Sequence, residues 1–307
     1  MLKEDLFRSW VAKERRSFLA KKRRYPHFDP KIQFTKNIAF FRNYFNNGSN
    51  VSKHSFYPFI KMILETPRYK KVELKQGEQV VKGSKKRIMD KKERPISYAA
   101  HFDAFIYSYY STFLSSRYEK KIRKWEIFDN VLAYVEKGAS NIHFAHEVFE
   151  FIKNKGECIA LTYDISSFFD GLEHEHLRKM WGRVINKPKL PDDHFKVFQS
   201  LTKYSFVEKS DLEKEFPFLN EYRKKGAPIL KICEPVDFRD RVRDKGLIKK
   251  NENKITLKSS PRLNQPCGIP QGSPLSACLS NIYMIDFDIR LKQEVDKLKG
   301  LYRRYND

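Results

Sequence analysis

The chain has 307 residues, 40% of them hydrophobic and 14% aromatic, so burial can offset chain entropy and a wholly disordered protein is excluded. Lys+Arg 61 against Asp+Glu 38 leaves a formal net charge of +23. So large an excess is most simply tolerated beside a polyanion, with nucleic acid ahead of an anionic membrane surface. No apolar run reaches the roughly 18–20 residues that a membrane span needs. Met1-Leu2-Lys3-Glu4-Asp5 carries acids and no apolar core, unlike a secretion signal. The four cysteines, Cys158, Cys233, Cys267 and Cys278, show neither a C-x-x-C pair nor metal-finger spacing, and read as reduced thiols of a cytoplasmic protein.

Residues 1–24 form a basic, amphipathic stretch. Leu2, Leu6 and Trp10 recur at helical spacing among Arg8, Lys13, Arg15 and Arg16, and the run Lys21-Lys22-Arg23-Arg24 precedes the breaker Pro26. Its basic face suits a nucleic-acid backbone or plain solvent. Residues 70–94 are again rich in Lys and Arg, with strand-like pieces at 72–74 and 79–81. Asp90-Lys91-Lys92, between Ile88 and Ile96, reads as a hairpin turn. Helices are predicted over 103–120, from Phe105, Ile106, Tyr109 and Leu114, and over 142–152, from Phe144, Val148, Phe149 and Ile152. Gly156 ends the second. Residues 158–165 are a short, mostly apolar run that predicts a buried strand. A helix feeding a buried strand argues for an α/β (α+β) layer architecture. Residues 186–266 are polar and punctuated by prolines, and read as loops and short helices folded onto the main body.

Three separated segments carry chemistry. In the first, 161–170, Asp164 closes the predicted strand. A carboxylate there is desolvated unless a cation such as a divalent metal sits on it; a cap or turn acid is the alternative. The second, Gly268-Ile269-Pro270-Gln271-Gly272-Ser273-Pro274-Leu275-Ser276, fixes a tight loop ahead of a helical pattern through Leu279, Ile282, Tyr283 and Phe287. Its small residues let another backbone or a base approach closely. The third, Leu301-Tyr302-Arg303-Arg304-Tyr305-Asn306-Asp307, is strand-like and stops on an acid. His174 and His176 fall at a predicted helix start, where a solvated or capping role outweighs metal binding. Aromatics such as Phe40, Phe41, Tyr44 and Phe45 beside Arg42 suit core packing, or stacking on single-stranded bases.

Together these segments resemble the palm motifs of reverse transcriptases. Asp164 with Phe168-Phe169 looks like that family's first catalytic motif, residues 268–276 like its Gly-x-Pro-Gln-Gly-x-x-x-Ser motif, and Tyr305-Asn306-Asp307 like the start of Tyr-x-Asp-Asp. Arg94-Pro95-Ile96, with Asp103 further on and a helix after it, is similar to the fingers motif of the retron and group II intron enzymes. The resemblance spans about residues 87–307. It implies a right-hand polymerase in which 1–60 is a basic N-terminal extension, 61–157 the fingers and 158–307 the palm. That palm carries an inserted fingers segment around 186–266 and is incomplete at its C-terminus, with the thumb absent.

The resemblance also assigns roles. Asp164 and Asp307 are the implied catalytic metal ligands, with the carbonyl of Ile165 as a third donor. Mg²⁺ is the implied ion, with Mn²⁺ as a substitute, in two-metal nucleotidyl transfer. Arg94, and secondarily Arg87, would grip the incoming triphosphate. Phe169 would exclude a ribose 2′-hydroxyl and so favour dNTPs, and Gln271 and Gly272 would position the nascent pair. Gly268, Pro270 and Tyr305 would line the template and primer. The implied partners are an RNA template, a DNA primer or product, dNTPs and a dedicated noncoding RNA, with no membrane. Segments 106–110, 140–145 and 190–194 look most like the bacterial enzymes of phage defence and abortive infection. Because the chain stops on the first acid of its terminal motif, a truncated product with little polymerase activity is expected. Template-independent or protein-primed DNA synthesis, and non-catalytic RNA binding on the same fold, are the competing readings.

Overall fold

The N-terminal stretch folds into helix α1 (Lys3–Ala20). Its apolar stripe is buried: Leu6, Phe7 and Trp10 reach the main core, while Arg8, Arg15 and Arg16 face solvent. The computed structural model describes residues 3–20, 25–71, 87–219, 231–256 and 264–305. The run 21–24, the strand-like pieces at 72–74 and 79–81, and Asn306 and Asp307 lie outside the described residues.

After α1 come α2 (Ile38–Asn46) and α3 (Gly48–Ser52), then two long strands, β1 (Phe59–Lys71) and β2 (Arg87–Tyr98). These two pair antiparallel without a break, from Ile60 opposite Tyr98 to Lys71 opposite Arg87. Asp90-Lys91-Lys92 is therefore mid-strand and not a turn. Their partners are Thr66, Pro67 and Arg68 of β1, and Lys91 reaches across the ladder to Glu65 at 2.6 Å. Polar side chains here mark an exposed ribbon, whose two faces both meet water. On its other edge β1 pairs parallel with β3 (Ser205–Glu208), and β3 pairs antiparallel with β4 (Lys249–Lys250), giving the order β2-β1-β3-β4. A second two-stranded ladder joins β5 (Lys254–Ile255) to β6 (Gln265–Pro266).

Helix α4 (His101–Lys124) is buried on most sides along its first half, which explains an apolar pattern that is not confined to one stripe. The free backbone donors of its first turn are satisfied from a segment remote in sequence: the Asp29 carboxylate accepts from His101 N at 2.9 Å and from Phe102 N at 2.8 Å. Lys121, Arg123 and Lys124 in its last turn suit the negative end of the helix dipole. Helices α6 (His174–Ile185), α7 (Asp192–Thr202), α9 (Ser276–Tyr283) and α10 (Ile285–Lys297) complete the main core, in which Trp181, Leu177 and Met180 pack with Leu279 and Ile282. From the predicted insertion, α8 (Lys209–Glu215) and its neighbours pack Val207, Leu212, Phe216 and Val242 against Ile60 of β1 as a smaller core. The protein is thus a mixed helix and sheet structure, as expected of an α/β chain. No helix among the described residues is long and apolar enough to cross a membrane.

Helix α5 (Asn141–Lys155) forms where its periodicity predicts, and Gly156 closes it with φ +74°; none of its residues is buried. Residues 158–165 form no strand and are not buried: Ile159 is 88% exposed, Leu161 70% and Tyr163 83%. Apolar composition signals a tendency to bury but supplies no partner, and no described strand lies beside this run. Among its described residues, 301–305, the terminal stretch likewise shows only an isolated bridge, Val131 with Arg304.

One buried group makes stability depend on pH. His27 is fully buried beside Phe28 and Tyr98, and burial, then the nearby His101, lowers its pKa from the ordinary 6.5 to about 3. A depressed folded-state pKa contributes stability that is present above 6.5 and lost as pH falls from there toward about 3. Urea unfolding midpoints should therefore decline between pH ~6.5 and ~4, and His27→Gln should flatten that decline. An unchanged slope in the variant would assign the acid sensitivity elsewhere.

Candidate nucleotide-binding site

The site is built where three distant segments meet. Ser167, in the left-handed region at φ +52°, turns the chain into a short 3-10 helix, Phe168–Gly171, and the Glu173 carboxylate then caps α6 by accepting from Glu175 N and His176 N, each at 2.6 Å. The 268–276 loop is laid along this turn. Gly268 N donates to Leu172 O and Ile269 N to Phe169 O, both at 2.9 Å, and Cys267 bridges Glu173. Within the loop, the Ser276 hydroxyl donates to Pro270 O at 2.6 Å and fixes its return into α9.

The same loop is held against β2. Ser97 N donates to Gln271 O at 2.7 Å. Gly272 has φ +112°, and a Cβ there would lie 2.8 Å from Ser97 O and 2.9 Å from Ile96 Cγ2. Both the backbone conformation and the close approach demand glycine. Arg94 lies three positions before Ser97 on β2, half-buried, with Nη1 donating to Thr66 Oγ1 at 3.2 Å. Arg87 is the first residue of β2. Phe169 is half-buried against the main core, its ring edge-on to Phe168 at 5.8 Å. Phe169, Gly268, Pro270, Gln271 and Gly272 therefore form one cluster, joined to the strand that carries Arg94.

The acids are arranged differently. Asp164 is exposed on the irregular 156–167 segment, and Ile165 is 40% exposed. Asp170 is exposed, with its backbone carbonyl beside Gly268; desolvation raises its carboxyl pKa, and Lys61 on β1 opposes that shift. Tyr305 is exposed, and Asp307 lies outside the described residues. Among the described residues no group of three or more His, Cys, Asp or Glu converges. Asp164 and the Ile165 carbonyl alone do not make the implied divalent site. An apolar groove of ≈ 870 Å³ runs beside the segment, lined by Ile165, Phe168, Leu172, Ile255, Tyr283 and Phe287 among others.

Residues that the motifs did not single out also hold the site. His176 Nε2 bonds Tyr283 O at 3.2 Å and so ties α6 to α9, a contact beyond the solvated or capping role expected at the helix start. Asp288 and Arg304 form a buried bidentate pair, Nε to Oδ1 at 2.8 Å and Nη2 to Oδ2 at 2.9 Å. Asp288 is invisible in a helical charge pattern, which reads it as one more solvated acid. The chain matches no family model, and no curated protein matches it.

Proposed function

We propose that this chain handles nucleotides as part of a reverse-transcriptase-type polymerase, an RNA-directed DNA polymerase of bacterial antiviral defence. The observation that supports this is the double attachment of the 268–276 loop, to the turn after Asp164 on one side and to the Arg94 strand on the other. Segments that resemble three polymerase motifs thus share one site. In this reading Arg94 binds the triphosphate through its guanidinium fork, Phe169 crowds the sugar 2′ position, and Gln271 with Gly272 supports the nascent pair. The implied Mg²⁺ would neutralise phosphate charge, with Asp164, the Ile165 carbonyl and Asp307 as its proposed donors. Tyr305 and Pro270 would lie along the template and primer.

A non-catalytic RNA-binding role is the second reading, favoured by the exposure of Asp164 and the net charge of +23. The two separate in a binding experiment. On an RNA template with a DNA primer, the dNTP complementary to the next template base should slow dissociation of the complex in the presence of Mg²⁺, and the other three should not. Arg94→Ala should remove that nucleotide effect while leaving duplex affinity within about twofold, because backbone binding is spread over many cations. Equal behaviour of all four dNTPs would leave RNA binding as the function.

A further inference from the structure

Two side chains with no role in that scheme converge on a single backbone oxygen of the loop. His174 Nε2, from the first residue of α6, meets Gly268 O at 2.8 Å. Asn251 reaches the same region from the predicted insertion, its Nδ2 lying 2.9 Å from Cys267 O and 3.3 Å from both Gly268 O and Thr202 O. The Asn251 Oδ1 accepts from Asn253 N at 3.3 Å, and Asn253 O accepts from Cys267 N at 3.0 Å. The insertion is therefore clipped to the loop through both backbone and side chain.

The grip falls where the loop turns. Gly268 has φ +92°, and an added Cβ would come within 3.1 Å of Asp170 O and 3.2 Å of Asn253 Nδ2. A carbonyl held by an imidazole and an amide cannot swing without abandoning both bonds in a buried setting. Since a carbonyl only accepts, the imidazole must present Nε2–H, and burial lowers the His174 pKa in favour of the neutral ring. Three residues further on the chain reaches β2 through Gln271 O, so any rotation at Gly268 is transmitted to the Gln271-Gly272 turn.

We propose that His174 and Asn251 are positioning residues which, by fixing the Gly268 carbonyl, orient the Gln271-Gly272 turn for the incoming nucleotide and make the 186–266 segment part of nucleotide selection. This rests on the polymerase reading. Neither residue needs to touch the nucleotide. The predicted insertion then contributes to the loop's shape through Asn251 and the Asn253 backbone, at a distance from the base.

The test measures the affinity of the chain–primer–template complex for the complementary dNTP, and separately the affinity for the duplex, in wild type, His174→Leu, His174→Gln and Asn251→Ala. His174→Leu and Asn251→Ala should each weaken nucleotide binding about five- to tenfold, as expected for losing one hydrogen bond to a buried carbonyl. Duplex affinity should stay within about twofold, and His174→Gln, which keeps a donor, should recover to within about threefold of wild type. Should His174→Leu not fold, Asn251→Ala alone decides. Wild-type nucleotide affinity in the variants, equal weakening of duplex and nucleotide, or a Gln variant no better than Leu would overturn the positioning role while the polymerase reading stood. A wild-type chain that shows no nucleotide dependence would overturn both.

Discussion

Trp10→Ala should lower the unfolding free energy by about 3–5 kcal/mol, the range for truncating a large buried aromatic. The indole is fully buried, with Phe34, Phe41, Phe45 and Tyr109 packed edge-to-face around it at centroid distances of 5.3, 5.6, 5.2 and 5.7 Å. Each such pair adds to simple area burial because ring edges and faces carry opposite partial charge. Its Nε1–H also donates to the Ser108 hydroxyl at 3.2 Å, so truncation removes a partner from a buried polar atom. These rings come from α1, α2, α4 and the Phe34–Lys36 turn, and the cavity would open where all four meet. Urea denaturation followed by far-UV circular dichroism measures the loss. A change under about 1 kcal/mol would mean that α1 is dispensable to the core.

Arg304→Met is expected to cost a similar amount, about 3–5 kcal/mol, for a different reason. Asp288 is fully buried and accepts both the Arg304 fork and the Tyr302 hydroxyl, the latter at 2.6 Å. Arg304 Nη1 also donates to Asn281 Oδ1 at 3.1 Å, and Asn281 Nδ2 donates to Ala133 O at 2.9 Å. The backbone repeats the tie, with Arg304 N to Asn130 O and Leu132 N to Arg304 O, both at 2.8 Å. Removing the guanidinium strands a carboxylate away from water, which is far costlier than losing the attraction itself. The double variant Asp288→Leu/Arg304→Met should therefore lose much less than the sum of the single changes. Additive losses in that double-mutant cycle would show that the pair acts as two independent groups.

How much of this was legible depended on the signal each feature leaves. Helical periodicity located α1, α4 and α5, and Gly156 marked the end of α5, because side-chain spacing and glycine φ are local properties. The Gly-Ile-Pro-Gln-Gly string announced a tight loop, and the Ser97 contact at Gly272 gives its physical cause. Residues 158–165 misled because burial of a strand requires a neighbour that composition cannot supply. Asp90-Lys91-Lys92 misled because an exposed β-ribbon and a turn favour the same polar residues. The Asp288–Arg304 pair and the grip of His174 and Asn251 on Gly268 left no pattern, since each joins residues from separate elements.

Exposure of the 158–165 segment also sets the protein's thiol chemistry. Cys158 is exposed, whereas Cys233, Cys267 and Cys278 are buried. Burial pushes the Cys233 and Cys278 thiols up to about 11 and raises Cys267 as well, which suppresses the reactive thiolate at all three. A maleimide dye should accordingly attach at Cys158 first, six residues from Asp164, without any engineered cysteine. The chain thus carries its own position for a fluorescent reporter, placed to register anything that comes to lie against that segment.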